Sequence, residues 1–321
     1  MKKLIALVLA LLLLAGLSAC GFIPGSMSSS RAEQNETKAP APQTDAPKTE
    51  PAPDTEPAPD TEPAPETEPA PEAPAFEPCT VIDNELCTLR ITAIEDDPFW
   101  GYTLKTELEN KTESKNLSFA VKESSINGVG CSAIYLVSVA AGKKAYEDLS
   151  FSDSDLKDLI GPYTDLDLTL LIYNSDDWGD SSEVRFHIYP LGEDAAVNYV
   201  REAQPTDTVL ADNDQFSVIV TGYDPDSLWG YAVKLYLVNK TELSLSFSAD
   251  EVSVNGVMCD PFWFETLQPG KTTFSSMEWS SSKFESDNIT EVEEIEFKLT
   301  VRNAEDYFAE ALLEETVTLT P

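Results

Sequence analysis

One block of this sequence occurs twice, in the same order and at the same spacing. Asp83-Asn84, Thr92, Asp97, Trp100-Gly101-Tyr102, Lys105, Leu108 and Asn110-Lys111-Thr112-Glu113 return as Asp212-Asn213, Thr221, Asp226, Trp229-Gly230-Tyr231, Lys234, Leu237 and Asn239-Lys240-Thr241-Glu242. The interval is longer than the roughly 20–50 residues of a solenoid repeat, so a whole folded unit is duplicated.

Alternation sets the class of that unit. In the first copy Trp100, Tyr102, Leu104, Thr106 and Leu108 share one face, and Trp229, Tyr231, Val233, Leu235 and Leu237 repeat it in the second. A period of two over such a stretch marks a half-buried strand. Asn127-Gly128 and Asn255-Gly256 sit between short apolar runs and predict type I′ hairpins, whose two central residues need positive φ. Further strands are expected near 145–151, 166–173 and 184–189, matched by 273–279, 295–301 and 316–320. About seven strands with frequent turns and almost no helical period predict an all-β, two-sheet sandwich in each copy.

The duplication also supplies boundaries. The copies end on strands closed by Pro190 and Pro321, which gives domains over 79–190 and 208–321, joined by a linker over 191–207. Within that linker, Asp194 to Glu202 is expected to form a two-turn helix. A connection this short predicts a restricted relative orientation.

Before the first copy, the chain carries a leader and a spacer. Lys2-Lys3, the apolar run from Leu4 to Ala15 and the small residues before Cys20 have the layout of an export signal, too short to span a bilayer. Leu17-Ser18-Ala19-Cys20 resembles the lipobox of bacterial lipoproteins. That resemblance implies a signal peptide over 1–19, acylation of Cys20, membrane attachment through that lipid, and an extracytoplasmic location on the bacterial cell membrane. Residues 20–78 follow as an acidic, Pro-rich linker that cannot form a core. Thr49 to Glu72 is four hexapeptides of the form Thr-Glu-Pro-Ala-Pro-Asp or -Glu, in which carboxylates repel and prolines extend the backbone. In polyproline II geometry this disordered stalk reaches on the order of 100 Å.

The formal net charge is −36. A surface of that sign is repelled by nucleic acid and by anionic headgroups, which excludes those partners. Solubility, wall-matrix compatibility and affinity for divalent cations are the roles this charge leaves open, solubility being the commonest. Asp96-Asp97 and Asp224 with Asp226 precede a strand in each copy and could offer oxygens to calcium, but neither loop has a full ligand set. The segment from Asn174 has an EF-hand outline that fails, since its fifth position is Trp178 and its twelfth Arg185. No metal and no cofactor are therefore expected.

Catalysis finds little support. His187 is the only histidine, lies in an alternating strand, and has no nucleophile motif beside it. No HExxH, G-x-S-x-G or Walker loop is present. A pair of carboxylates acting as a hydrolase is the remaining enzymatic alternative. The aromatic residues of Trp100-Gly101-Tyr102 and Trp229-Gly230-Tyr231 are expected in the cores, with a sugar-binding platform as the alternative. Phe262, Trp263 and Phe264 are the better ligand-binding candidates, because the first copy has no equivalent aromatic run. Cys79, Cys87, Cys131 and Cys259 are expected as buried free thiols; a Cys79–Cys87 bridge is the rival.

The Asn-Lys-Thr turn, the Asn-Gly hairpin and the Gly-Lys turn before an apolar strand look like those of immunoglobulin-like domains in Gram-positive surface lipoproteins. The resemblance covers both copies and implies two tandem immunoglobulin-like antiparallel sandwiches with no catalytic residue. Together these readings predict a non-enzymatic surface lipoprotein that binds a cell-surface protein or glycan. The alternative is a structural or sensory accessory pair without its own ligand.

Overall fold

The structure is a computed structural model that describes residues 76–151, 156–306 and 308–321. The leader, Cys20 and the hexapeptide stalk lie outside the described residues.

Copy one contributes β1 (Cys79–Asp83), β2 (Cys87–Asp97), β3 (Gly101–Asn110), β4 (Leu117–Ile126), β5 (Val129–Gly130), β6 (Ala133–Ile134), β7 (Leu136–Val139), β8 (Lys144–Phe151), β9 (Leu166–Asn174) and β10 (Asp177–Ile188). One sheet has the order β1-β2-β3-β8-β6; the facing layer has β10-β9-β4, with β5 and β7 both on β4. The chain changes sheet between β3 and β4, makes a brief excursion through β6 between β5 and β7, and crosses again between β7 and β8 and between β8 and β9. Those crossings are the Greek-key connections of an immunoglobulin-like sandwich. Copy two repeats the plan with β11 (Thr208–Asp212), β12 (Phe216–Ser227), β13 (Gly230–Asn239), β14 (Leu245–Val254), β15 (Val257–Met258), β16 (Phe264–Leu267), β17 (Thr272–Ser280), β18 (Ile295–Asn303) and β19 (Leu313–Leu319). Its layers are β11-β12-β13-β17 and β15-β14-β18-β19, with β16 also on β14.

The recurring sequence block is mostly a brace. Asn110 is fully buried at the end of β3, where its amide donates to the carbonyls of Lys115 and Val139 while its oxygen accepts from Thr112. Asn239 does the same with Leu243, Leu267 and Thr241. The following lysine ties the first hairpin of each copy down, β1–β2 or β11–β12: Lys111 binds Asp83 and the Asn84 carbonyl, and Lys240 binds Asp212 at 2.7 Å and the Asn213 carbonyl. Each Asp-Asn and each Asn-Lys-Thr thus satisfies backbone groups that burial would otherwise strand.

Both Asn-Gly hairpins have the expected geometry, with φ of 52° and 80° at Asn127 and Gly128 and 52° and 75° at Asn255 and Gly256. Two expectations fail. Trp100 and Trp229 are not core residues, being 52% and 64% exposed, whereas Tyr231, Val233, Leu235 and Leu237 behind Trp229 are buried. The alternation breaks at the glycines: Gly101 has φ of +76° and Gly230 of +143°, so each tryptophan belongs to the turn before its strand. The linker helix is also absent. Only Glu193–Ala195 makes a single 3₁₀ turn, and the chain then runs extended because its groups bond to copy one instead of to one another.

Two short helices occupy matching places after β8 and β17, α1 (Leu156–Ile160) and α2 (Ser281–Asp287). Ser280 caps α2 by accepting from the Lys283 amide. The hydrophobic core falls into two clusters, one from Ile82 to Ile188 and one from Phe216 to Leu319, each inside its own sandwich. All four described cysteines are free thiols; Cys87 and Cys259 are buried as expected, but Cys79 and Cys131 are half-buried. Burial pushes Cys87 and Cys259 up to about 11, which keeps both protonated and unreactive at neutral pH.

Candidate functional site

The two copies are joined through a built junction. Thr272, the first residue of β17, pairs in parallel with Val129 of β5, so layers of both copies run on as one nine-stranded sheet. The Thr272 amide donates to the Gly128 carbonyl at 3.1 Å, and the Thr273 hydroxyl to the Gly130 carbonyl at 3.3 Å. Phe274 packs on the core of copy one and meets the rings of Tyr199 and Tyr236 at 6.0 and 5.1 Å.

The linker is pinned to both sides. Tyr199 donates its amide to the Asn127 carbonyl at 2.7 Å, and the Val197 amide donates to Thr164 Oγ1 at 3.2 Å. Arg201 grips Asp207 with two bonds of 2.7 Å and lies over the Tyr236 ring. That bidentate pairing, with the Gln204 amide, holds the Asp207 carboxyl at about 2.

Charge closes the junction. Asp167 on β9 is 5% exposed, and receives Arg185 at 2.8 and 2.5 Å and Lys271 of copy two at 2.7 Å. Burial alone would raise its carboxyl, but the bonds from Arg185 and Lys271 prevail and hold it at about 2. His187 Nδ1 lies 2.7 Å from Asp165 and Nε2 3.5 Å from Asp167.

A cleft of about 710 Å³ opens beside this seam, with Lys122, Glu123 and Cys131 on one wall and Glu265, Gln268 and Phe274 on the other. A second hollow of about 770 Å³, lined by the linker and β17, shares Leu159, Phe274 and Ser276 with it. Trp263 Nε1 donates to Ser275 Oγ at 3.0 Å, and Ser275 donates at 3.0 Å to Oε2 of Glu265, which lies on the cleft wall. Burial raises the Glu265 carboxyl above the ordinary range, although the bonds from Ser275 and Thr266 oppose it.

The sequence candidates separate. Trp263 is 9% exposed and belongs to the second core, while Phe262 and Phe264 on either side of it face outward. Strand alternation divides them: the Phe262 backbone bridges Glu278, and Phe264 begins β16. Asp97 accepts from the Phe99 and Trp100 amides at 2.8 Å, Asp96 binds Lys157, and Asp224 lies 3.6 Å from Lys234. Among the described residues no three His, Cys, Asp or Glu side chains are placed to hold a metal. In the loop of EF-hand outline, Asn174 and Asp177 are occupied with the amides of Asp176 and Gly179, and Trp178 stacks on Tyr173. His187 stacks on Tyr189, outside the cleft; among the described residues no hydroxyl or thiol is bonded to it.

Sequence reasoning passes over the Asp167–Lys271 seam. Its one trace is an aspartate between Leu166 and Leu168 in a strand otherwise buried on both faces, where copy two carries the exposed Glu296. No family model matches the chain, and no curated protein matches it. Among solved structures, a crystal structure of the YadV chaperone aligns at 12% identity over 68% of this chain and 92% of its own, with a TM-score of 0.21. A likeness that low carries no argument about function.

Proposed function

We propose that the chain is a lipid-anchored, extracytoplasmic, non-enzymatic protein that holds two immunoglobulin-like sandwiches as one unit and binds a surface ligand between them. The observation that carries this reading is the cleft whose opposite walls come from different copies. A linker bonded to both sides keeps the walls preorganised, which lowers the cost of binding between them. Lipid attachment rests on Leu17-Ser18-Ala19-Cys20, and Cys20→Ala should abolish labelling by fatty acid in cells.

Burial of Trp263 favours the second reading, an accessory pair with no ligand of its own, because it removes the central ring from the aromatic patch. Photo-crosslinking on whole cells separates the two. A photoreactive residue at Ser276, inside the cleft, should give a discrete adduct, and the same residue at exposed Glu315 on β19 should not. No adduct from Ser276 contradicts the binding reading and leaves the accessory one.

A further inference from the structure

The same hairpin ends in exposed apolar side chains in both copies. Between β2 and β3, Phe99 is 82% exposed beside Trp100; between β12 and β13, Leu228 is 90% exposed beside Trp229. Folding accounts for the neighbouring glycines. A Cβ on Gly101 would stand 2.7 Å from the Phe151 carbonyl oxygen, and one on Gly230 would collide with that of Trp279. It does not account for the tryptophans, which take no part in either core. Large apolar side chains held in water at equivalent points are a feature of contact surfaces.

Charge indicates what they contact. Asp97 and Asp226 each stand three residues before a tryptophan, and among the described residues neither lies within ion-pair distance of a cation. Nearby Asp96 and Asp224 are occupied by Lys157 and Lys234, and Glu95 by Lys105. The Asp97 carboxylate fixes the first tip by accepting the Phe99 and Trp100 amides. Each tip therefore offers an indole ring close in sequence to a carboxylate that, among the described residues, forms no ion pair with a lysine or arginine, Lys105 acting on Asp97 only from beyond that distance.

We propose that the two tips are equivalent contact points for a cationic protein surface, each taking a lysine or arginine between the indole face and Asp97 or Asp226. An aromatic face attracts a cation through its quadrupole, and a carboxylate beside it adds a charge-assisted hydrogen bond. The net charge of −36 draws such a partner in from a distance and repels anionic lipid. A neutral glycan would stack on the rings but leave the Asp226 carboxylate and the field without a role. This inference does not depend on the cleft.

The test uses the full chain and a fluorescent oligoarginine peptide, followed by anisotropy. Because Trp100→Ala and Trp229→Ala leave the net charge and every stalk carboxylate unchanged, the diffuse acidic background is constant across the series. The double variant should bind about tenfold more weakly and each single variant about threefold, with an unchanged far-UV spectrum. A control variant, Phe262→Ala with Phe264→Ala, should stay within about twofold of wild type. Equal binding by wild type and the double tryptophan variant, or no peptide binding by wild type, overturns the proposal. So does capture of wild type, but not of the double variant, by neutral phosphatidylcholine vesicles or by a neutral polysaccharide, since the tips would then serve lipid or sugar.

Discussion

Lys271 of the second copy lies 2.7 Å from Asp167 of the first, across more than a hundred residues of chain, and both side chains are largely withdrawn from water. A buried charge that loses one of its partners is costly even where the pair itself adds little. Asp167 keeps Arg185 when Lys271 is removed, so the loss is partial. Lys271→Met should destabilise the chain by about 1–3 kcal/mol in urea titration. The equivalent Lys143 is exposed on copy one, and Lys143→Met should cost less than about 0.5 kcal/mol. Equal effects at the two positions would remove the junction's electrostatic role.

The same pair shapes the acid limb. Asp167 is held at about 2 in the fold against 3.8 in the free side chain, so between those values the unfolded chain binds the extra proton. Its contribution, about 2 kcal/mol, is present in full above about pH 4 and is lost as pH falls towards 2. Asp167→Asn should therefore be less stable at pH 7, with a flatter pH profile between 4 and 2. Arg201-bound Asp207 titrates in the same window, so the difference between the two profiles is the informative quantity.

Glu265 works in the opposite direction. Its carboxyl is raised by burial, so the folded chain binds a proton that the unfolded chain has already released, and stability falls as pH rises through that window. Glu265→Gln should raise the melting temperature at pH 7, leave it nearly unchanged at pH 4, and keep the hydrogen bond from Ser275. A lower melting temperature at pH 7 would show that the ionised carboxylate is a stabilising acceptor.

Gly230 and Gly142 separate close approach from backbone preference. Both have positive φ, but a Cβ on Gly142 meets nothing within 4 Å, whereas one on Gly230 strikes the Trp279 carbonyl and lies 2.6 Å from the Ser281 nitrogen. Gly142→Ala should cost about 1 kcal/mol and Gly230→Ala about 3 kcal/mol or more, read from chemical denaturation.

Much of the fold is legible in the residues because alternation and turn chemistry are local. Asn127-Gly128 states its turn outright, and the apolar rows of β3 and β13 state their buried face. Trp100 and Trp229 mislead because the strand alternation begins at a positive-φ glycine, one residue after the apolar pattern begins. The linker misleads because Asp194 to Glu202 is weighed by local propensity, while Asn127 and Thr164, remote in sequence, take its amides. The cleft is the least legible, since Glu265 and Lys122 become opposite walls only through the pairing of Thr272 with Val129. A contact between copies leaves a faint local signature: one aspartate in an apolar strand.

That the copies act as one unit is tested most directly at the Thr272 amide, whose hydrogen bond goes to the Gly128 carbonyl of the other copy. Hydrogen exchange by NMR should compare the full chain with a fragment of residues 208–321, which contains the whole second core cluster. The junction predicts strong protection of this amide in the full chain and rapid exchange in the fragment, while amides of Leu235 and Leu237 in β13 stay protected in both. Equal exchange at Thr272 in the two proteins, with β13 protected in each, would contradict a fixed junction and remove the basis for a ligand site between the copies.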